Sequence, residues 1–274
     1  MKKIFSFLLV ICLLVSFVTS CTTQNEVATN KNSKTELVVF AAASMTETLT
    51  TIKEMYEKEH KDVEIIYTFD SSGTLLKQIL AGADCDVFIS AAQKQMNQLD
   101  VSADEKENPD KNDFLLDGTR INLLENKVAL AVPDGNPKGI KSFEDLLTDK
   151  LSLLAIGNSD VPVGAYTIEI LNHLGKSVET FESEGKITYG SNVKEVTTQV
   201  KNASVDAGII YATDAFSAEL EVVDVATKDM CRQVIYPAAI LNITKNENEA
   251  REFMNYLQSD EAMKVFEAVG FSKA

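Results

Sequence analysis

The stretch "ELVVFAAASMTETLTTIKEMYEKEH" (residues 36–60) decides the fold. Its first seven residues form a short apolar run, strand-like in length and composition. From Ser44 onward, Met45, Leu49, Ile52 and Tyr56 recur at helical spacing. A buried strand therefore passes into a helix through three alanines. The same alternation continues downstream. "VEIIYTF" (63–69) predicts a strand, "SGTLLKQILAG" (72–82) a helix, "DVFIS" (86–90) a strand and "AAQKQMNQL" (91–99) a helix. Strands alternating with helices predict an α/β fold with a parallel sheet.

The alternation breaks at the charged, proline-containing segment 100–113 and resumes after "NKVALAVPDGNP" (126–137). A second block runs through "LSLLAIGN", "VGAYTIEILNHLG", "NVKEVTTQVKNA" and "DAGIIYA". "RQVIYPAAILNIT" (232–244) is β-prone with Pro237 inside. A proline disfavours a central strand, so this run is expected to cross between the two blocks. Two amphipathic helices close the chain over 247–270.

The 274 residues are 45% hydrophobic and carry a formal charge of −15. Such an acidic chain is a poor partner for nucleic acid or an anionic membrane surface. The N-terminus is a separate object. Lys2 and Lys3 precede the apolar run "IFSFLLVICLLVSFV", and "VTSC" (18–21) follows. This is a secretory signal over 1–20. "VTSC" resembles a bacterial lipobox, which implies cleavage before Cys21, lipid on its sulfur and a firm hold on the membrane without spanning it. Residues 21–35 have the composition of a tether. Cys85 and Cys231 are expected to be buried thiols.

Enzyme chemistry is hard to find. The chain has two histidines, no zinc spacing, no nucleophile elbow, no phosphate loop and no dinucleotide fingerprint. Hydrogen-bond donors at strand-to-helix turns are abundant instead. In open α/β sheets ligands bind beyond the carboxyl ends of strands, and helix N-termini suit anions. "SMTE" predicts Ser44 as an N-cap, with Glu47 completing a capping box. The alanines before it give an anion clearance to reach that serine. "DSSGT" offers Ser71 and Ser72, with Gly73 removing bulk where a ligand would approach. In "VPVGAY" Pro162 has no N–H, so Val163 and Gly164 hold the next amides. "SNVKE" suggests Asn192 and Glu195 as a second box, leaving the Val193 amide free. Tyr211 ends a strand with a phenol that can donate. None of these donors is cationic. An all-donor site fits a fully ionised oxyanion and disfavours a protonated one.

These same residues carry a resemblance. "VFAAASMTETL", "SSGTLLKQILAGADCDVFISA", "VPVGAY", "GIIYATDA" and "YLQSDEAMKVFEAVGF" resemble the molybdate-binding protein of bacterial ABC importers, over residues 36–272. The resemblance implies a two-lobed type II periplasmic-binding-protein fold. Each lobe would be a mixed, mostly parallel sheet flanked by helices, joined by crossing strands and closing by a hinge. Lobe 1 would span 36–120 plus 238–274, and lobe 2 would span 121–237. It further implies a monomeric, extracytoplasmic lipoprotein without catalysis or cofactor that delivers molybdate or tungstate to an ABC permease. The ligand set carried over is Ser44, Ser72, Val163, Val193 and Tyr211, the same five holding the molybdenum as molybdate. Ser71 is the neighbour that competes with Ser72. Departures are Ala91-Ala92, where relatives often have "SAD", and Val163, where an alanine is common. Asp70 is expected to face away from the ligand; facing inward, it would favour a protonated oxyanion such as phosphate. Rival readings are another tetrahedral anion (sulfate, thiosulfate, phosphate), a surface enzyme, and a sensor lipoprotein.

Overall fold

A computed structural model describes residues 34–274. The expected signal, Cys21 and the tether up to residue 33 lie outside the described residues. The chain first builds β1 (Thr35–Ala42), α1 (Thr46–Glu59), β2 (Val63–Asp70), α2 (Ser72–Leu80), β3 (Val87–Ile89), α3 (Gln93–Asn97) and β4 (Ile121–Asn126). It then builds a second lobe from β5 (Val128–Val132), β6 (Leu154–Gly157), α4 (Pro162–His173), α5 (Val178–Ser183), β7 (Ile187–Gly190), α6 (Val193–Lys201), β8 (Ala207–Tyr211), α7 (Ala212–Ser217) and β9 (Glu221–Val225). It returns to the first lobe for β10 (Val234–Ile240), α8 (Glu247–Leu257), α9 (Asp260–Ala268) and β11 (Ser272–Lys273).

Each lobe has its own sheet, ordered β11-β4-β10-β3-β1-β2 in the first and β7-β6-β8-β5-β9 in the second. Strand β1 shows why the first sheet is buried on both faces. Leu37, Val39 and Ala41 pack with Leu49, Ile52 and Tyr56 of α1, while Phe40 packs with Leu75, Leu76 and Ile79 of α2. A sheet covered by helices on both faces needs near-continuous apolar strands, as "LVVFAA" supplies.

Parallel pairing is confined to the ladders of β1 with β2 and β3, and of β6 with β7 and β8. It does not run through most of each sheet. The strands that enter or leave a lobe, β4, β5 and β10, pair antiparallel. Lobe boundaries also shift from the expected 120/121 and 237/238. All of β4 is hydrogen-bonded to β10 in the first sheet, so the chain crosses at Lys127, and the return crossing falls between Val225 and Val234. Pro237 does not keep β10 out of the sheet interior. A register shift between Tyr236 and Pro237 absorbs the missing N–H, the setting in which a strand proline is tolerated. Cys85 and Cys231 are buried and unpaired; burial pushes their thiols up to about 12 and about 11.

Candidate functional site

The handover from β1 differs from the capping-box expectation. A 3-10 turn over Ala43–Met45 intervenes, so α1 begins at Thr46 and Ser44 makes no cap bond. Its hydroxyl lies 2.8 Å from the Tyr236 hydroxyl instead. Glu47 reaches the other lobe, where both its oxygens accept from Lys194 Nζ at 2.8 and 2.7 Å.

At α2 the two adjacent serines divide their work. Ser71 is the cap: its Oγ accepts from the Thr74 N–H at 3.1 Å and donates to Thr74 Oγ1 at 2.8 Å. That uses its proton. Ser72 begins the helix, accepts from the Ala91 N–H at 2.9 Å and keeps its proton free. Ala91, noted as a departure, therefore supports Ser72 through its backbone.

In the second lobe Pro162 opens α4 and the Gly164 N–H donates to the Val161 carbonyl at 2.9 Å. This leaves Val163 as the amide without an acceptor among the described hydrogen bonds. Asn192 caps α6, accepting from the Glu195 N–H at 3.1 Å. The return bond from Glu195 goes to the Ser191 N–H at 2.7 Å, one residue earlier than the box requires. Val193 then stands first in the helix with its N–H unpaired, as helix geometry dictates. Tyr211 ends β8, and its hydroxyl is buried with no hydrogen-bond partner among the described residues. Burial raises that phenol well above its ordinary pKa, so it is a protonated donor.

These elements enclose a very small cavity between the lobes, about 10 Å³. Pockets for drug-sized ligands run to roughly 300–1,000 Å³, so this one suits a much smaller guest. Ser44, Ser72, Val193 and Tyr211 line it, together with Ala42, Ala43 and Pro162. Val163, next in the chain after Pro162, is not among the lining residues, and its side chain is fully buried. The N-termini of α2, α4 and α6 converge here, and no Lys, Arg or His lines the wall. Asp70 does line it, contrary to expectation. Its Oδ1 accepts from the Ser71 N–H at 2.7 Å and the Asn192 side chain at 3.4 Å, which draws it between the lobes.

The lobes are closed on each other. The Gly73 N–H donates to the Asp160 carbonyl at 3.1 Å, and Lys77 pairs with the Asp160 carboxylate at 2.6 Å. Gly73 thus admits the backbone of the opposite lobe rather than a ligand. Sequence reasoning missed Asn126 and Tyr236, which are hydrogen-bonded behind Ser44, and the ion pair of Lys194 with buried Asp214. Only tertiary pairing brings them together.

The chain matches the family described as bacterial extracellular solute-binding proteins over residues 37–272. It is 37% identical over 249 residues to YvgL of Bacillus subtilis, provisionally named an ABC transporter substrate-binding lipoprotein, covering 90% of each chain. It is 33% identical over 242 residues to the molybdate-binding protein of Haemophilus influenzae, covering 86% of this chain and 90% of that one. The periplasmic molybdate-binding protein of Azotobacter vinelandii has the same fold, with a TM-score of 0.74 at 22% identity over 87% of this chain and 99% of that one.

Proposed function

The chain belongs to the bacterial extracellular solute-binding protein family, and from that footing we propose that it captures molybdate, and tungstate with it, for an ABC permease. Proteins of this family are extracytoplasmic carriers of ABC importers and not enzymes. The observation that carries the finer reading is the buried Tyr211 hydroxyl, left without a partner in a cavity ringed by helix N-termini and free of cations. A buried unpaired donor is costly unless a ligand completes it. A tetrahedral dianion accepts from every side and donates nothing, so it completes Ser44, Ser72, Tyr211 and the amides of Val163 and Val193 together. One lobe contributes the serines and the other the remainder, so the anion stabilises the closed form by its preference for it. No cofactor takes part, and the protein acts as a monomer. Lipid on Cys21 holds it at the membrane; "VTSC" and the lipoprotein name of YvgL support that anchor.

Titration calorimetry with molybdate, tungstate, sulfate and phosphate tests the reading. Molybdate and tungstate are expected to bind far more tightly than sulfate; equal binding of sulfate overturns the assignment. Asp70 favours one rival, since a carboxylate in the wall can accept a proton from hydrogen phosphate. Phosphate binding that matches molybdate and is lost in Asp70→Asn would establish that rival.

Ser44→Ala and Ser72→Ala should each weaken molybdate binding by about 1–3 kcal/mol, the loss of a hydrogen bond to a charged group. Val163→Ala and Val193→Ala keep the amides and should change it little. Tyr211→Phe should move two measurements in opposite directions. Molybdate affinity falls about tenfold, while thermal unfolding of the ligand-free protein shifts upward, because an unsatisfied buried hydroxyl is gone.

A further inference from the structure

Behind Ser44 lies a chain of buried polar side chains, Asn126, Thr213 and Tyr236, none of which lines the cavity. Asn126 ends β4, next to the crossing, and its Oδ1 accepts from the Lys127 N–H at 2.8 Å. That contact fixes the amide's orientation. The Nδ2 group then donates to Thr213 Oγ1 at 2.9 Å and to the Tyr236 hydroxyl at 3.2 Å. Tyr236 is fully buried on β10, and its hydroxyl also lies 2.8 Å from Ser44 Oγ.

Through its two hydrogen bonds, the Tyr236 hydroxyl has one assignment that uses both the amide proton and its own. If Ser44 donated to Tyr236, the phenol oxygen would accept twice and its own proton would be buried without an acceptor among the described contacts. Such a proton is expensive. With Asn126 donating to Tyr236, and Tyr236 donating to Ser44, the amide and phenol protons behind the serine are both used. The Ser44 proton is then left pointing at the cavity.

We propose that Tyr236, oriented by Asn126, is a specificity-determining positioning residue that holds Ser44 as a donor and so biases the site against oxyanions that carry a proton. The proposal rests on the oxyanion reading above. It assigns to the two strands flanking the crossings a part in choosing the ligand's protonation state. A serine released from Tyr236 can turn and accept, which is what hydrogen phosphate needs and molybdate does not.

The test is a double-mutant cycle on the full chain, read by calorimetry with molybdate and by competition with phosphate at mildly alkaline pH. There phosphate is a singly protonated dianion, so a simple change of local charge acts on both anions alike and cancels in their ratio. Tyr236→Phe keeps the ring that packs edge-on to Phe271 at 5.2 Å. It is expected to weaken molybdate about tenfold and to narrow the molybdate-to-phosphate ratio. In a Ser44→Ala background the same substitution should change nothing, because its effect passes through Ser44. Asn126→Ala, which leaves the phenol unoriented, should move the ratio in the same direction by a smaller factor. An equal loss from Tyr236→Phe in both backgrounds overturns the proposal. So does unchanged molybdate affinity, or a ratio that does not narrow. Failure of the wild-type chain to prefer molybdate is a different result and removes the functional reading itself.

Discussion

Gly73→Ala is expected to weaken molybdate binding by about 3 kcal/mol or more, while leaving the ligand-free protein as stable as before or slightly more so. In the closed form a Cβ on Gly73 would overlap the Asp160 carbonyl oxygen and stand 2.9 Å from its carbonyl carbon and its Cα. Both partners are backbone, on different lobes, so neither yields cheaply. Overpacking of this kind costs about 1–3 kcal/mol and occasionally more, and here the cost falls only on the closed form. With the lobes apart the residue is simply in the first turn of α2, where alanine is the better helix former. Calorimetry and thermal unfolding separate the two effects, and small-angle scattering with molybdate reads closure directly. A variant that closes and binds normally would mean that the Gly73 contact is not part of the bound state.

Lys194→Met should be the most damaging substitution to stability. Asp214 is fully buried, and neither of its oxygens has a hydrogen-bond partner among the described residues. Lys194 Nζ, 3.1 Å away, forms the ion pair that compensates it. Stranding a buried charge costs roughly 3–5 kcal/mol. The accompanying loss of the Glu47 bridge matters less to stability, because that partner is half-exposed. The pH dependence follows from burial, which raises Asp214 to about 6 despite the attraction of Lys194. A carboxylate raised in the folded state contributes stability that is complete below its unfolded pKa of about 3.9 and is lost as pH rises through the folded value. Wild type should therefore lose this increment by about pH 6. In the variant the restraining cation is gone, so the loss continues to higher pH. Urea unfolding in mildly acid and mildly alkaline buffer should show the two proteins close together in the first and well separated in the second. A uniform destabilisation would instead implicate the packing of the lysine stem.

The elements of the fold were legible because each is short and locally encoded. "VEIIYTF" and "SGTLLKQILAG" carry their period and their stops within a dozen residues. The sheet interior was less legible. Pro237 read as a reason to keep its strand from the centre, yet one bulge next to Tyr236 absorbs it. Local rules also misplaced Ser44. The pattern "SMTE" is a capping box by spacing, but an intervening 3-10 turn puts Ser44 two residues before the helix. Four of the five donors expected from turn chemistry line one cavity, because helix N-termini are signalled by their own sequence. What supports those donors was not visible. Tyr236 lies 192 residues from Ser44 and 110 from Asn126, and nothing within a local window announces such a pairing. The placement of Asp70 is hidden from the sequence for the same reason, since Asn192, which helps hold it at the cavity, belongs to the other lobe.

The position of β10 bears on the order in which the protein can be made. The second sheet is assembled from one uninterrupted segment, 128–225, and can be completed as soon as that segment has emerged. The first sheet cannot. Its strands β3 and β4 are synthesised early, but β10, which lies between them, comes more than a hundred residues after β4. Until then both strands present bare edges, the kind that invite pairing with other chains. The lobe that begins first is thus the one that finishes last. The interval between those two events is when the nascent chain most needs shielding from its neighbours.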